Sequence, residues 1–202
     1  GGLIGKNDYS TPVGVNVTFI RTSYYELDKI EYDPSSEFQI NNSYSTAKVS
    51  GEDNVGGAIG YDIGGSFKKV YYEVYSNAQI SVEGINNVGG LIGYTKDSNL
   101  DYCYTQSFAW DYSGDTECFD IKGVNNVGGL IGFAESGKEI GFDYNVSNNK
   151  GYMNIANSLA SVNILATGDY VSGIVGKMLH HGGIYTGYYY GVIKIVSDSK
   201  YE

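Results

Sequence analysis

An octapeptide that occurs twice without change constrains this 202-residue chain more than any other feature. Asn-Asn-Val-Gly-Gly-Leu-Ile-Gly stands at 86–93 and again at 125–132. A near copy, Asn-Val-Gly-Gly-Ala-Ile-Gly, stands at 54–60, a truncated Gly-Gly-Leu-Ile-Gly opens the chain, and a degenerate Val-Ser-Gly-Ile-Val-Gly stands at 171–176. Recurrence of one motif at intervals of a few tens of residues is typical of proteins built from stacked repeats.

The glycine pairs of this motif are its predicted structural anchors. Strict alternation along a strand cannot bury the valine, leucine and isoleucine of one octapeptide together. A corner at the glycine pair would change which face of the strand the following side chains occupy, so that all three could be buried. Glycine supplies the positive φ that we expect at such a corner. Stacking then aligns Ala58-Ile59, Leu91-Ile92, Leu130-Ile131 and Ile174-Val175 as apolar ladders. The anchor positions are Gly56, Gly57, Gly89, Gly90, Gly128, Gly129 and Gly173.

A second, weaker motif alternates with the first and reads Asn-Ser-Tyr-Ser-Thr-Ala-Lys-Val-Ser-Gly at 42–51. Its echoes are Tyr-Ser-Asn-Ala-Gln-Ile-Ser-Val-Glu-Gly at 75–84 and Cys-Tyr-Thr-Gln at 103–106. Successive glycine anchors lie 55, 33, 39 and 44 residues apart, and loops that leave a stack accommodate such differences. The asparagines before valine are expected to form side-chain ladders or turns, because asparagine tolerates left-handed conformations.

Composition favours strands joined by turns over helices. The chain contains 29 glycines and 21 tyrosines but only one arginine, Arg21. The formal charge, 13 − 23 = −10, opposes binding to a phosphate backbone and suits a soluble, exposed surface. No apolar run approaches the roughly 20 residues that a membrane-spanning helix needs. With no linker-like stretch, we expect one domain over 1–202.

The two cysteines and a group of carboxylates flank or occupy one inserted segment. A disulfide between Cys103 and Cys118 would stiffen the loop by roughly 3 kcal/mol, and two unbonded thiols are the alternative. A calcium ion is a candidate ligand for the nearby acidic side chains, although their spacing departs from an EF-hand pattern and a solvated acidic loop is the other interpretation. These acidic residues are Asp111, Asp115, Glu117 and Asp120.

The first motif, alternating with the tyrosine motif, resembles the GLUG repeat of large bacterial surface and secreted proteins. That family includes adhesin-like chains and non-catalytic regions of streptococcal immunoglobulin A1 metallopeptidases. The resemblance runs from about Gly1 to Gly187 and implies an all-β fold, a right-handed parallel β-helix or solenoid of about four to five coils with inserted loops. Ala58 replaces the leucine of the motif, Ser172 replaces a glycine, and the pattern is blurred from 137 to 169.

No motif in the chain predicts catalysis. His-Glu-x-x-His, Gly-x-Ser-x-Gly and the phosphate-binding Gly-Lys-Ser/Thr pattern are all absent from the sequence. His180 and His181 are adjacent, so on a strand they would face opposite sides and not share a metal. Tyrosine runs at 24–25, 71–72 and 188–190 offer aromatic platforms for a ligand, or else ladders between coils.

We therefore expect a non-catalytic extracellular structural or adhesive protein, a stalk or filament segment at a microbial cell surface. The alternatives are a non-catalytic repeat region of a secreted peptidase and a glycan-active β-helix enzyme. Because solenoids need polar caps over open ends, the expected partners are flanking repeats of a longer protein or copies stacked end to end. A host or matrix glycan or protein is the candidate ligand; we expect no nucleic acid, membrane span or cofactor other than the calcium ion considered above.

Overall fold

The computed structural model describes residues 1–6, 39–74, 80–108, 118–137, 153–179 and 183–196. Within these ranges the protein is all-β, with twenty strands and no helix. The strands are β1 (Ile4–Lys6), β2 (Gln39–Ser45), β3 (Val49–Ser50), β4 (Asp53–Gly56), β5 (Ile59–Ile63), β6 (Ser66–Val74), β7 (Val82–Glu83), β8 (Asn86–Gly89), β9 (Ile92–Lys96), β10 (Asn99–Asp101), β11 (Tyr104–Ser107), β12 (Ile121–Gly123), β13 (Asn125–Gly128), β14 (Ile131–Glu135), β15 (Asn154–Ser161), β16 (Ile164–Ala166), β17 (Val171–Ser172), β18 (Val175–Leu179), β19 (Gly183–Tyr190) and β20 (Ile193–Ile195).

These strands form four parallel sheets. Sheet 1 has the order β1-β5-β9-β14-β18, and sheet 3 has the order β20-β16-β12-β7-β3. Sheet 4 has the order β17-β13-β8-β4. In sheet 2, the short strands β10 and β11 both lie between β6 and β15, with β2 beyond β6 and β19 beyond β15. Along the chain the strands visit sheets 1, 2, 3 and 4 in the same cyclic order, which is consistent with a β-helix or solenoid.

The octapeptides lie in register across sheets 4 and 1. Val88 pairs with Val55 and Val127, and Ile92 pairs with Ile59 and Ile131. The truncated and degenerate copies join the same columns, because Ile4 pairs with Ile59 and Val175 pairs with Ile131. The predicted apolar ladder of the first motif is therefore confirmed.

A corner separates the sheet 4 strand from the sheet 1 strand in each octapeptide. In the second copy, β8 ends at Gly89 and β9 begins at Ile92, with a bend at the two residues between them. Val88, Leu91 and Ile92 are each 0% exposed, so the corner buries all three side chains as the parity argument predicts. Each such burial stabilises the fold by roughly 1.5–3 kcal/mol.

The positive φ angles lie at asparagines and other residues rather than at the glycine pairs. Asn54, Asn87 and Asn126 have φ of 54°, 54° and 53°, and Tyr170 occupies the equivalent position before β17 with φ 59°. A second column of left-handed residues crosses sheet 2 at Asn42, Lys69, Tyr102, Asn157 and Thr186. The expectation that the anchor glycines supply positive φ is wrong.

The predicted alignment of the tyrosine motif at 42–51 with its echo at 75–84 is confirmed for the second half of the motif and wrong for the first half. Val49 pairs with Val82 and Ser50 with Glu83, as the alignment of the two echoes predicts. Tyr44, however, pairs with Tyr71 rather than with Tyr75, which lies outside the described residues. Tyr71 in turn pairs with Tyr104. The first half was misaligned because more residues separate Tyr71 from Val82 than separate their partners, Tyr44 and Val49.

Candidate functional site

Close backbone approach explains the glycines of the repeated motif. A Cβ at Gly89 would collide with the carbonyl oxygen of Ile92 and lie 2.7 Å from the amide nitrogen of Gly132. A Cβ at Gly128 would collide with the oxygen of Ile131 and lie 2.7 Å from the nitrogen of Gly176. Real Cβ atoms do not tolerate such contacts with backbone, so these positions require glycine for space.

The other anchor glycines face side chains or the backbone of the next strand. At Gly57 and Gly173 a Cβ would enter the rings of Tyr72 and Tyr189. A Cβ at Gly90 would collide with the carbonyl oxygen of Gly129, and a Cβ at Gly129 would collide with that of Gly173. Every predicted anchor thus lies at a tight contact, and the corner keeps the polypeptide close to its neighbour.

Two rows of hydrogen-bonded side chains run along sheet 4, all of them asparagines except Asp53. The Nδ2 of Asn87 donates to Oδ1 of Asn54 at 2.8 Å, and Nδ2 of Asn126 donates to Oδ1 of Asn87 at 2.7 Å. In the neighbouring row, Asn86 donates to Asp53 at 2.8 Å and Asn125 donates to Asn86 at 3.0 Å. The predicted ladder is therefore present, and Asn54, Asn87 and Asn126 also take a left-handed φ, although they lie within strands and not in turns.

Substitution of Asn87 separates its two roles. Asn87→Gly keeps a backbone suited to positive φ and removes the ladder, whereas Asn87→Ala also places a Cβ in the left-handed region at roughly 1–2 kcal/mol. We expect urea unfolding to give a lower free energy of unfolding for alanine than for glycine, by about 1 kcal/mol. Equal values for the two variants would mean that φ at this position carries no cost.

A row of aromatic rings follows the outer face of sheet 1, with a lysine at each end. Tyr61 and Tyr94 stack with ring centroids 4.8 Å apart, and Phe133 meets Tyr94 edge-on at 5.3 Å. Lys6 lies over the Tyr61 ring at 5.3 Å and Lys177 over the Phe133 ring at 5.4 Å. Register places these five residues in one column, so each ring contacts its neighbour in the column, Tyr61 and Tyr94 by their faces and Phe133 by an edge contact.

Hydrogen bonds add polar contacts beside this row. The Tyr94 hydroxyl donates to Oε2 of Glu135 at 2.8 Å, and Nζ of Lys96 donates to Oε1 of the same carboxylate at 2.9 Å. Burial, followed by the Glu135 contact, raises the pKa of Tyr94 above its usual value, so this tyrosine stays neutral at physiological pH. The cluster is a structural cross-strand network, with its polar atoms directed at one another.

The tyrosine runs divide between ladder, core and surface. Tyr71 stacks on Tyr104 with centroids 3.9 Å apart and planes 18° apart, so these two rings occupy each other's faces. Tyr72 is 1% exposed and its hydroxyl donates to the oxygen of Ala47 at 2.9 Å. Tyr188 and Tyr190 are 55% and 65% exposed. Residues 24–25 lie outside the described residues, so the platform hypothesis there stays a prediction.

The structure contains no bond between the Sγ atoms of Cys103 and Cys118. Cys103 is buried, and its thiol donates to the carbonyl oxygen of Phe67 at 3.4 Å. Burial raises the pKa of this thiol to about 12, so it remains protonated and is a weak nucleophile. Cys118 is partly buried, and its carbonyl oxygen accepts a hydrogen bond from Nδ2 of Asn163 at 2.9 Å.

Of the four acidic residues considered for calcium, only Asp120 is described. It is 4% exposed; the Ser107 hydroxyl donates to its Oδ1 and the backbone N–H of Asn163 donates to its Oδ2, each at 2.8 Å. Asp111, Asp115 and Glu117 lie outside the described residues. Among the residues that the structure describes, no group of three or more His, Cys, Asp or Glu side chains is placed to hold a metal ion.

Asp120 predicts a specific pH dependence of stability. Burial raises its pKa above the ordinary 3.8, although the two donors act in the opposite sense. Because the folded state holds the proton more tightly, this group's contribution is full below the ordinary pKa and is lost as pH rises through the folded-state pKa. Asp120→Asn should therefore gain stability relative to the native chain as pH rises from about 4.

Urea unfolding of both proteins at a series of pH values measures this difference. The asparagine side chain is close to aspartate in size and is neutral at every pH of the series, so the variant carries no titration at this position. A stability difference that stays constant with pH would contradict the assignment.

A second buried carboxylate was missed by sequence reasoning. Asp62 is 0% exposed, and its Oδ2 accepts from Oγ of Ser98, from Oγ1 of Thr95 at 3.2 Å and from the amide of Gly65 at 3.2 Å. Thr95 pairs with Asp62 in register, so the interaction links successive strands of sheet 1. The only signal in the sequence was that Asp62 and Thr95 stand at equivalent positions of two repeats. An alignment of the repeats does not show that this position is buried.

No protein-family model, curated protein or solved structure matches this chain. The described residues include no helix with the length and apolar character to cross a bilayer.

Proposed function

We propose that this chain is a non-catalytic structural or adhesive segment, a β-solenoid stalk or filament portion displayed outside a microbial cell. The fold that we propose is a right-handed parallel β-helix of about four to five coils, since crossovers between parallel strands are almost always right-handed. Flanking repeats or further copies are its proposed partners, and a glycan or protein of a host or matrix its proposed ligand.

One observation carries the proposal: side chains that would be candidates for chemistry contact their equivalents on the neighbouring strands. The asparagine rows, the aromatic row of sheet 1 and the Tyr71–Tyr104 stack all repeat along the direction in which strands add. A Lys122–Glu83 ion pair at 2.7 Å joins sheet 3 strands in the same way. An arrangement of this kind stabilises a repetitive scaffold, because the polar atoms of these rows, within the part of the chain that the structure describes, bind one another.

The strongest alternative is a non-catalytic repeat region of a secreted peptidase, which differs only in the protein that surrounds the segment. A glycan-active enzyme is a weaker candidate. That reaction needs two carboxylates placed about 5–10 Å apart across an accessible cleft. The two buried carboxylates of the described residues, Asp62 and Asp120, have hydroxyl and amide donors as partners.

Labelling of intact cells tests the proposal. Antibodies raised against the 202-residue chain should bind intact source cells without permeabilisation, with a cytosolic protein as the control that labels only permeabilised cells. Labelling that appears only after permeabilisation would refute a surface role. Incubation of the purified chain with polysaccharide panels separates the enzyme alternative, since release of reducing ends would establish glycan cleavage.

A further inference from the structure

The left-handed residues of sheet 2 form an exposed column on its outer face. Register places Lys69 beside Tyr102 and Tyr102 beside Asn157, because the residues before and after them pair. The φ angles in this column lie between 48° and 56°, and every member is exposed. The sheet 2 column consists of Asn42, Lys69, Tyr102, Asn157 and Thr186.

The left-handed conformation turns one additional side chain outward on each strand. In β6, Phe67 and Val70 are 1% and 0% exposed, whereas both residues between them, Lys68 and Lys69, are exposed. Strict alternation would direct Lys69 into the core, so the bulge moves this side chain to the surface. The same shift leaves Tyr102 53% exposed.

The left-handed column of sheet 4 differs, because its side chains hold strands together. Its asparagines bind one another in a ladder. In the sheet 2 column, lysine, tyrosine and threonine take the left-handed conformation, which disfavours such side chains. Among the described residues, the side chains of Lys69 and Tyr102 have no hydrogen bond or ion pair. The strained backbone therefore displays side chains to solvent, and strain of this kind is concentrated at functional sites.

Fixed polar groups lie beside the exposed ring of Tyr102. The Asp101 carboxylate accepts a hydrogen bond from Nδ2 of Asn157 at 3.0 Å, and its other oxygen lies 3.7 Å from Nζ of Lys68. These contacts position an acceptor and two donors next to the ring before any ligand binds. A sugar suits this arrangement, since its C–H face packs on an aromatic ring while its hydroxyl groups bind donors and acceptors.

The charge of sheet 2 selects among polymers. Its strands carry four charged side chains, Lys68, Lys69, Glu73 and Asp101, so their formal charge is 2 − 2 = 0 in a chain of −10. An anionic polymer is repelled by the chain as a whole, and a cationic polymer finds no net negative charge on this face. An uncharged polymer rich in hydroxyl groups matches the face best.

The long connections of the chain lie at the two borders of sheet 2. Strands of sheets 3, 4 and 1 follow one another through short connections, of which 167–170 is the longest. The connections into or out of sheet 2 include 7–38, 108–120 and 136–153. Repeat proteins whose insertions border one face often use that face for binding.

We propose that the outer face of sheet 2 binds a neutral polysaccharide along the sheet 2 column. The Tyr102 ring packs on a sugar, and Lys69, Asp101 and Asn157 bind its hydroxyl groups. This inference rests on the proposed function, in which a glycan is a candidate ligand, and it adds the binding face and the class of glycan. The two fail separately, because labelling of intact cells decides the location and binding by the purified chain decides the site.

Affinity electrophoresis of the purified 202-residue chain tests the site. Native gels would each contain one uncharged polysaccharide: mannan, galactan, dextran, hydroxyethylcellulose or a soluble β-1,3-glucan. Dextran sulfate is the anionic comparison. We expect at least one uncharged polymer to slow the chain and dextran sulfate to leave its mobility unchanged. Mobility at a series of polymer concentrations gives the dissociation constant.

Tyr102→Asn removes the ring and keeps the backbone, since asparagine already takes this conformation at 42 and 157. We expect the dissociation constant to rise at least about tenfold. Tyr170→Asn is the matched control. Tyr170 is also exposed, at 57%, and left-handed, with φ 59°, but it lies in the column of sheet 4, so this variant should bind as the native chain does.

Lysine acetylation, followed by mass spectrometry, provides a readout that needs no variant. The polysaccharide that slows the native chain should reduce the acetylation rate of Lys69 and leave that of Lys6, an exposed lysine of sheet 1, unchanged. Four results would each overturn the proposal: no retardation by any of these uncharged polymers, retardation by dextran sulfate alone, native affinity in a folded Tyr102→Asn protein, or an unprotected Lys69.

Discussion

Replacing Gly89 by alanine is expected to reduce the free energy of unfolding by about 3 kcal/mol or more. The added Cβ would collide with the oxygen of Ile92 and lie 2.7 Å from the nitrogen of Gly132, so it meets fixed backbone of its own corner and of the next strand. Neither group moves without breaking the hydrogen bonds of its sheet. Chemical unfolding followed by far-ultraviolet circular dichroism measures the loss.

Gly5→Ala is the matched control for this substitution. A Cβ at Gly5 has no heavy atom within 4 Å, and the residue is exposed. We expect its effect on the free energy of unfolding to stay within about 0.5 kcal/mol. If Gly89→Ala unfolded at the same denaturant concentration as the native chain, close approach would not be the reason for the glycine pair.

Replacing Ile92 by aspartate is expected to prevent folding at ambient temperature. Ile92 is 0% exposed and lies between Ile59 and Ile131 in the column of sheet 1. The change removes roughly 1.5–3 kcal/mol of apolar burial and places an ionised carboxylate among aliphatic side chains. The total exceeds about 4 kcal/mol, a large share of the stability of an ordinary domain.

The same substitution at Ile85 supplies the control. Ile85 is 46% exposed, so a carboxylate there remains in water. We expect Ile85→Asp to give the native circular dichroism spectrum and nearly the native midpoint of thermal unfolding. A folded Ile92→Asp protein with native stability would contradict the register of sheet 1.

The sequence was sufficient to predict an all-β chain with parallel sheets and the register of its octapeptides. Identical motifs predict identical environments, and Val88, Leu91 and Ile92 are buried as that argument requires. The handedness of the crossovers and the surface role stay predictions. So does the GLUG resemblance, for which no match was found.

The reason for the glycines was not predictable from the same pattern. Asparagine and glycine both tolerate positive φ, and the motif contains both. The sequence therefore does not show which of the two residues takes the left-handed conformation. Asn87 takes it, and Gly89 serves instead where two backbones approach. That approach depends on the distance between strands 40-odd residues apart, from Gly89 to Gly132, which the sequence does not contain.

The uneven spacing of the anchors has a consequence for how such a chain changes over generations. The columns of side chains stay aligned although the repeats are 33 and 39 residues apart. The hydrogen bond from Asn87 to Asn54 is 2.8 Å long and that from Asn126 to Asn87 is 2.7 Å long. Excision of 57–89 would join Gly56 to Gly90 at equivalent points of two octapeptides. Recombination between the repeated segments of the gene can therefore lengthen or shorten the protein by whole units while every remaining strand keeps a compatible neighbour.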